Sequence, residues 1–317
     1  MKQIADYLTI IIMFWNLENF FYPRQNIEHF STEKQLTWSR FKTKRNIIGK
    51  TILAVKDAEK NYPSLIGLCE VENIKTIYNL LQNTPLAKIK YKILHKDSPD
   101  KRGIDVALLY REDISLVDIK YLRINKFNTR DILYAKMFSI TLNDTLHVFV
   151  NHWPSKLGGE RKSSTRRMET ALLLKKTVDS ILSRNSKAQI IAMGDFNEGP
   201  NSPAVKFIAR PHLSDTSNTT APLINLMVGL TDSLRNSSSA VYGTYKYKGA
   251  WEILDQFLVS ERVRAEVYIV AFSHLLQSDR KYLGSTTNKT FNGLRFAGGA
   301  SDHLPIILKI RANEQSK

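Results

Sequence analysis

Short apolar runs recur along the whole chain, separated by polar segments. Each run is rich in β-branched and aromatic residues and is bounded by turn-forming residues, which is typical of β-strands. The predicted strands are 8–15, 64–70, 104–110, 134–140, 146–152, 189–195, 253–259 and 304–310. They are numerous enough to form two β-sheets packed on each other.

Between some of these strands, apolar residues recur at the spacing of a helix face. One helix is predicted within 33–60, with a face formed by Trp38, Phe41, Ile48, Ile52 and Val55. A second is predicted over 166–184, with a face formed by Met168, Ala171, Leu174, Val178 and Ile181. A third is predicted over 74–82. The mixture indicates an α/β fold, and a single domain over 1–317 is expected because no repeat or linker divides the chain.

Three segments rich in Gly, Ser, Thr and Asn predict irregular surface loops. They are 155–167, 214–222 and 235–251. In the last of them, Tyr245 and Tyr247 alternate with Lys246 and Lys248. This alternation fits a surface that stacks on bases while neutralising phosphate. It equally fits a β-hairpin with aromatic residues on one face and lysines on the other.

Acidic, amide and histidine side chains lie at the ends of the predicted strands. They are Asn16 and Glu18, Glu70 and Glu72, Asn151 and His152, Asp195 and Asn197, Asp255, and Asp302 and His303. Each alone fits a turn, a helix cap or a structural hydrogen bond. As a set they indicate a site, because buried charges cost free energy unless they are paired or bind a metal. Carboxylate and amide oxygens favour Mg²⁺, Mn²⁺ or Ca²⁺, whereas zinc favours Cys and several His.

The segment "MGDFNEGP" shows how such a strand end is expected to be arranged. Along an extended chain, Asp195 and Asn197 point to one face and Phe196 to the other. We therefore expect the two polar side chains to share one water or phosphate, and Phe196 to pack into the core.

The charge balance narrows the range of partners. The chain has 46 Lys and Arg against 30 Asp and Glu, a formal net charge of +16, and a pI near 9.7. This fits either a solvated basic surface or attraction to a polyanion such as nucleic acid. The one cysteine, Cys69, lies in an apolar run, which excludes an internal disulfide and predicts a buried, inert thiol.

Signals for targeting are weak. The first residues contain one Lys, an interrupting Asp6 and no small-residue cleavage site, so they do not fit a signal peptide. No apolar run approaches the length of a membrane span. A cytoplasmic monomer is expected, although a periplasmic or secreted protein whose leader has been removed would have the same sequence features.

Seven short sequence motifs follow one another along the chain in a specific order. They are "FWNLENF", "LIGLCEVEN", "RGIDVALLYR", "VNHWPSKLGG", "MGDFNEGP", "LDQFLVS" and "SDHLPI". In this order they resemble the endonuclease/exonuclease/phosphatase superfamily, which includes pancreatic deoxyribonuclease, abasic-site endonucleases, inositol polyphosphate phosphatases and bacterial sphingomyelinases. The sequences of these motifs are most similar to those of a bacterial branch of this superfamily. The resemblance implies a four-layer α/β sandwich in which two mixed β-sheets pack face to face, flanked by helices.

The resemblance also implies a metal site. Glu70 would be the main ligand, Asn16 would lie close to the metal or the phosphate, and Asp302 would help to bind the metal or polarise its neighbour. The expected ion is Mg²⁺, with Mn²⁺ or Ca²⁺ as alternatives.

Catalytic roles follow from the same resemblance. Asp195 and Asn197 would orient the attacking water and bind the scissile phosphate. His303 would contact the phosphate or activate water, together with Asp302. His152 would hold the phosphate or act as general acid near the leaving oxygen. Asp255 would support this group.

Further residues are candidates to hold the substrate. They are Asn151, Arg102 and Lys156, with Arg111 and Arg130 as additional cations near the motifs. Asp105 has two interpretations: it orients His152, or it is a surface charge beside a strand.

The sequence favours a metal-dependent phosphoesterase that uses water to cleave the phosphodiester bonds of DNA or RNA. The alternative is a phosphatase or lipid phosphodiesterase, acting on inositol phosphates or sphingomyelin, because one fold serves many substrates. A non-catalytic module that binds phosphate or nucleic acid is less favoured, since every site position that the motifs identify is present.

Overall fold

A computed structural model describes residues 9–23, 36–156, 159–211, 220–230 and 241–312. Parts of the predicted helix (33–35) and of the predicted loops (157–158, 214–219 and 235–240) lie outside the described residues.

The first sheet has six strands, in the order β14-β19-β1-β2-β4-β3. Its strands are β1 (Thr9–Phe20), β2 (Leu65–Val71), β3 (Lys92–His95), β4 (Asp105–Tyr110), β14 (Ala265–Ile269) and β19 (Ile306–Arg311). Strands β1 and β2 run parallel, and β1 and β19 run antiparallel, so the sheet is mixed.

The second sheet has seven strands, in the order β5-β6-β7-β8-β13-β10-β9. Its strands are β5 (Ile114–Leu122), β6 (Ile132–Ser139), β7 (Asp144–His152), β8 (Gln189–Asp195), β9 (Ala209–Arg210), β10 (Leu223–Asn225) and β13 (Asp255–Val259). This sheet is also mixed, because β7 and β8 run parallel while β8 and β13 run antiparallel.

Three short hairpins complete the described strands. They pair β11 (Tyr245–Tyr247) with β12 (Ala250–Glu252), β15 (Leu276–Ser278) with β16 (Ser285–Thr287), and β17 (Phe291–Asn292) with β18 (Arg295–Phe296). The tyrosine and lysine alternation therefore lies in a β-hairpin, as one interpretation predicts, and the base-stacking interpretation stays a prediction.

The two large sheets pack face to face because the residues that point inward from their central strands are apolar. Ile12 and Phe14 of β1 and Ile191 and Met193 of β8 belong to one buried cluster between the sheets. Burying each such side chain contributes about 1.5–3 kcal/mol relative to leaving it exposed. Cys69 lies in this cluster and is a free, buried cysteine, as expected.

Helices cover the outer face of each sheet. The helices are α1 (Trp38–Glu59), α2 (Ile74–Gln82), α3 (Glu160–Arg184) and the single turn α4 (Pro203–Lys206). Phe41 and Ile48 of α1 pack on the first sheet, and Leu174 and Val178 of α3 pack on the second. The predicted four-layer α/β sandwich is confirmed, whereas the single domain over 1–317 stays a prediction. In the described residues, no helix combines the length and apolarity needed to span a membrane.

Two boundaries differ from the sequence prediction by more than two residues. Strand β1 continues to Phe20 instead of ending near Trp15, since the polar residues after Trp15 conceal a continuation whose apolar residues are buried. Helix α3 begins at Glu160, so the segment predicted as the loop 155–167 is partly helical. The first missed turn contains Glu160, which accepts a hydrogen bond from the buried Arg167, a contact that a local apolar pattern does not predict.

Candidate active site

Three neighbouring strands of the second sheet meet the site at the same level: β7 and β8 end there, and β13 begins there. His152 of β7 pairs in register with Asp195 of β8, and Asp195 pairs with Asp255 of β13. Because alternate residues face the same side of a strand, these three side chains share the inner face with the apolar residues packed between the sheets. All three are buried. The second sheet thus brings one histidine and two carboxylates together at one edge.

The first sheet contributes Asn16 and Glu70. The Asn16 side-chain amide donates a hydrogen bond to Asp195 Oδ2 at 3.0 Å, which joins the two sheets. Glu70 has a φ of 58°, and the pairing of β2 with β4 shifts register between Cys69 and Val71. Such an irregularity redirects a side chain that strict alternation would place on the other face. Glu70 Oε1 accordingly lies 3.8 Å from His152 Nε2.

His303 is held by contacts on both its backbone and its ring. Its backbone N–H donates to Ser301 Oγ, and Ser301 donates in turn to the Asn16 carbonyl. Its carbonyl accepts a hydrogen bond from the Trp15 indole at 2.9 Å. Its Nδ1 lies 2.7 Å from Asp255 Oδ2. This pairing leaves the other ring nitrogen, Nε2, free to face Asp195, whose Oδ2 is 4.0 Å away.

His152 has a different environment. Its Nε2 lies 3.7 Å from Asp195 Oδ2, and its Nδ1 is buried without a hydrogen-bond partner among the described residues. Burial lowers the pKa of His152 well below its usual value, and the positive charges of Arg130 and Arg102 lower it further. The ring is therefore neutral near pH 7.

The pKa of His303 moves in the opposite direction. Burial alone lowers it, but the nearby carboxylates of Asp255, Asp195 and Asp302 together raise it well above its usual value. The pKa of Asp195 is raised to about 6: burial raises it most, the positive charge of His303 lowers it, and the charge of Asp255 raises it. Near pH 7 the site therefore contains a protonated His303 ring beside the Asp195 carboxylate, whose pKa is above its usual value.

Asn197 departs from the extended geometry that the sequence suggested. Strand β8 ends at Asp195, and Asn197 adopts a left-handed conformation with a φ of 49°. Its backbone N–H donates to Asp195 Oδ1 at 2.8 Å, and its side-chain amide donates to the Trp153 carbonyl at 3.0 Å. The turn forms because a short polar side chain hydrogen-bonds to the backbone two residues on. Phe196 is fully buried, as expected.

A buried arginine that the motifs did not identify connects the loops around Asn197 and His152. Arg167 of α3 is fully buried. Its Nε donates to Glu198, its Nη1 to the Pro154 carbonyl, and its Nη2 to Glu160. A signal was present in the sequence, because Arg167 lies four residues before Ala171 on the apolar face of α3.

The residues predicted to hold the substrate differ in their burial and in their contacts. Arg102 donates to Asn19 Oδ1 at 2.7 Å, and its Nη2 lies 3.5 Å from Glu70 Oε2. Lys156 is exposed in the loop after β7. Asn151 is fully buried, and its amide group bonds to the Trp153 indole and the Met193 carbonyl. A contact between Asn151 and substrate would require these bonds to break.

Of the two additional basic residues, one lies beside the site and the other lies far from it. Arg130 donates to Asp100 and to the Trp153 carbonyl, next to His152. Arg111 bonds instead to Asn61 Oδ1 and the Tyr62 carbonyl, at the far end of β4 from the site. The proposed phosphate contact of Arg111 is therefore wrong.

Neither interpretation of Asp105 is correct. Asp105 is buried, not a surface charge. It accepts hydrogen bonds from the backbone and hydroxyl of Ser98, and its Oδ2 faces His95 Nε2 at 3.6 Å. It does not bond to His152, whose Nδ1 lacks a partner among the described residues.

Two other acidic residues at strand ends accept hydrogen bonds from backbone N–H groups. Glu18 is buried and accepts hydrogen bonds from the backbone N–H groups of Thr290 and Phe291. Glu72 accepts one from the backbone of Tyr22. They anchor the loops beside the site.

The donor set fits a hard divalent cation. Asn16, Glu70 and Asp195 offer carboxylate and amide oxygens in one connected group, and such oxygens suit Mg²⁺ and Mn²⁺. Asp302 Oδ1 lies 4.0 Å from His303 Nε2 at the rim. The nearby Asp195, Asp255 and His303 also place ligand atoms within 4.8 Å of one another, but the 2.7 Å hydrogen bond already uses His303 Nδ1 and Asp255.

Solved structures share this fold. Truncated TDP2 of Caenorhabditis elegans is 15% identical, with a TM-score of 0.60 over 98% of this chain and 100% of that one. The human nocturnin catalytic domain, solved with a bound sulfate anion, is 17% identical, with a TM-score of 0.58 over 96% and 95%. A mannosyl-6-phosphatase of Bacteroides thetaiotaomicron VPI-5482 is 14% identical, with a TM-score of 0.57 over 95% and 99%. No curated protein sequence matches the chain.

The sequence profile described as "Endonuclease/Exonuclease/phosphatase family" matches residues 11–312. That range includes every residue of the cluster described above. The chain therefore belongs to the endonuclease/exonuclease/phosphatase family, whose enzymes hydrolyse phosphate esters.

Proposed function

We propose that this protein is a divalent-metal-dependent phosphodiesterase that cleaves nucleic acid with a water nucleophile. The observation that carries the proposal is the pairing of His303 with Asp255 directly beside Asp195. It supplies a buried cation for a phosphoryl oxygen and a carboxylate for the attacking water within one group.

The roles of the residues follow from their charges and contacts. Asp195 orients the water and accepts its proton as the water oxygen forms a bond to phosphorus. The His303 imidazolium, oriented by Asp255, donates a hydrogen bond from Nε2 to a phosphoryl oxygen while the bond to the leaving ester oxygen breaks, and the departing alkoxide takes a proton from solvent water. Asn197 fixes Asp195 through its backbone N–H. A divalent ion held by Glu70 and Asn16, with Asp302 at the rim, would supply further positive charge against the phosphate.

The neutral state of His152 limits its role. A neutral imidazole cannot donate a proton as readily as an imidazolium can, so we assign His152 to holding the phosphate or the metal ligand Glu70 in place. Its Nε2 lies between Glu70 and Asp195. Arg130 and Arg102 add positive charge on this side of the site.

An aromatic and basic surface beside His303 favours a nucleic acid over a small ester. Tyr245 of β11 pairs with His303 in an isolated bridge, and their rings lie 4.8 Å apart. Two residues further along the strand, Tyr247 is 53% exposed, with the Lys248 ammonium over its ring. Exposed aromatic rings next to lysines stack on bases and neutralise phosphates.

A second hairpin extends this surface. The loop between β15 and β16 presents Tyr282, which is 43% exposed, with Lys281 over its ring. The tip of the first hairpin, Gly249, lies against the Tyr282 side chain. A strand of nucleic acid leaving the scissile phosphate past Tyr245 would therefore meet two ring and lysine pairs in succession.

The test is an activity screen of the purified protein with Mg²⁺, with Mn²⁺ and with EDTA. The substrates are plasmid DNA, single-stranded DNA, RNA, inositol phosphates and sphingomyelin. We expect nucleic acid to be cleaved only with a divalent ion, and the Asp195→Asn variant to be inactive. Turnover that survives both EDTA and Asp195→Asn would contradict the mechanism.

A salt series separates the nuclease from its alternative. A nuclease that grips several phosphates should lose DNA affinity steeply as salt rises. Weak, salt-insensitive DNA binding, combined with rapid release of phosphate from an inositol phosphate or of the headgroup from sphingomyelin, would favour the phosphatase or lipid phosphodiesterase.

A further inference from the structure

A second group of metal-binding side chains lies one strand away from Glu70 and takes no part in the proposed reaction. His95 ends β3 and Asp105 begins β4, and Asp97 lies in the loop between them. One ring nitrogen of His95 and one oxygen from each aspartate lie within 4.8 Å of one another.

The central contact of this group has the wrong length for a hydrogen bond. His95 Nε2 and Asp105 Oδ2 are 3.6 Å apart, beyond the range of a side-chain hydrogen bond. The His95 side chain is only 3% exposed, and its Nε2 has no hydrogen-bond partner among the described residues. A buried polar nitrogen without a partner costs free energy, so this nitrogen calls for a ligand.

The observed separation suits two atoms bound to one ion. Ligand atoms each about 2.1 Å from a tetrahedral ion lie about 3.4 Å from one another. The separation of 3.6 Å is close to that value. The same gap is too small for a bridging water to make two good hydrogen bonds, which would need about 5 Å between its partners.

Asp105 is already oriented for such a role. Its Oδ1 accepts hydrogen bonds from the backbone N–H and the hydroxyl of Ser98, which direct Oδ2 toward His95. Ligating carboxylates are typically held by outer hydrogen bonds of this kind. Asp97 is 84% exposed, so its carboxylate is free to move onto an ion from the solvent side. In the structure its Oδ1 lies 3.9 Å from the other ring nitrogen of His95, Nδ1.

We propose that His95, Asp97 and Asp105 form a second divalent-cation site, separate from the oxygen donors around Glu70. One imidazole with two carboxylates favours Zn²⁺ or Mn²⁺ over Mg²⁺. The proposal concerns binding alone and does not depend on the proposed nuclease activity.

The site would influence the active site through the loop that it pins. Residues 96–104 connect β3 to β4 and carry Asp100 and Arg102. Asp100 pairs with Arg130 at 3.0 Å, and Arg102 reaches Asn19 and Glu70. An ion that fixes the two ends of this loop would restrict where these side chains lie.

The test measures metal binding in a background that lacks the main ligand of the other site. Metal-stripped Glu70→Gln protein is dialysed to equilibrium against Mn²⁺ and, separately, Zn²⁺, and the bound ion is quantified. We expect one ion per chain, and we expect His95→Gln in the same background to weaken its Kd at least tenfold. His274→Gln, which changes a half-buried histidine bonded to Thr51, is the matched control and should leave the Kd unchanged.

A second variant keeps the test valid if His95→Gln fails to fold. Asp97→Asn alters an exposed side chain and should also weaken the Kd, although less than His95→Gln does. Zn²⁺ should raise the Tm of the Glu70→Gln protein and not that of Glu70→Gln/His95→Gln, since only a ligand of the folded state stabilises it. Ion binding that is unchanged by both His95→Gln and Asp97→Asn, or no bound ion in the Glu70→Gln protein, would overturn the proposal and leave an ordinary ion pair.

Discussion

His152 at the end of β7 and His303 in the segment before β19 approach the same carboxylate, yet their pKa values are shifted in opposite directions. Their Nε2 atoms lie 3.7 and 4.0 Å from Asp195 Oδ2, and both rings are buried. The difference lies at the other ring nitrogen. Nδ1 of His303 contacts Asp255, whereas Nδ1 of His152 has no hydrogen-bond partner among the described residues.

This contrast shows that burial alone does not determine the charge of a histidine. Burial lowers the pKa of both rings, and a carboxylate in direct contact outweighs it at His303. Near His152 the cations Arg130 and Arg102 act in the same direction as burial. Near pH 7 the site therefore has a positively charged imidazolium at His303 and a neutral imidazole at His152, which lies near Arg130 and Arg102.

Removing the shared carboxylate should have the largest effect. We expect Asp195→Asn to lower kcat by about a thousandfold or more, because the water loses its proton acceptor and both histidines lose their common neighbour. Steady-state kinetics on a DNA substrate measures the loss. Asp179→Asn on the exposed side of α3 is the control, and a comparable loss there would indicate a general effect of charge.

Asp255→Asn tests the charged side of the comparison. Without the Asp255 carboxylate, burial dominates and the pKa of His303 should fall, so the imidazolium is lost at a lower pH than in the parent protein. The activity at alkaline pH should therefore decline earlier, with kcat near pH 7 reduced about a hundredfold. Ring NMR titration of metal-free protein measures both histidines, and an unchanged His303 pKa would refute the assignment.

Arg167→Met tests the support of the neutral side. Removing one partner of a buried ion pair leaves Glu198 uncompensated, so the free energy of unfolding should fall by about 3–5 kcal/mol. Urea unfolding measures this. The double variant Arg167→Met/Glu198→Met should recover part of that loss. If Arg167→Met alone cost under about 1 kcal/mol, the buried contact with Pro154 and Glu198 would not be important for these loops.

Arg102→Gln should give the smallest effect and sharpen the assignment of His152. Arg102 is a secondary cause of the lowered pKa, so its removal should raise the pKa of His152 slightly and leave that of His303 unchanged. We expect KM for DNA to rise by a fewfold, because exposed ion contacts contribute about 0–1 kcal/mol. A change in kcat without a change in KM would place Arg102 in the chemistry instead.

Much of the fold was predictable because it depends on local patterns. A short apolar run predicted β8 with its observed bounds, and the alternation of side chains along an extended chain predicted the core position of Phe196. Helix α2 also has the predicted bounds. Motif order predicted that Asn16, Asp195 and His303 would meet, and they lie in one group in which Asn16 bonds to Asp195 and Ser301 connects His303 to Asn16.

Other features could not be predicted from local patterns. The loop predicted over 155–167 is helical from Glu160 because partners distant in the sequence allow Arg167 to be buried. Asp105 faces His95 because β3 and β4 pair in a particular register. In both cases the deciding partner lies on another element.

The sequence by itself determined which residue types end each strand and which segments are apolar enough to form the layers. Only the tertiary structure decided which way those side chains point, since the positive φ of Glu70 and of Asn197 breaks the alternation that an extended chain would follow. It also decided the charge of each histidine. A pKa depends on burial and on neighbours that are distant in the sequence, and only folding brings Asp255 and His303, 48 positions apart, into contact.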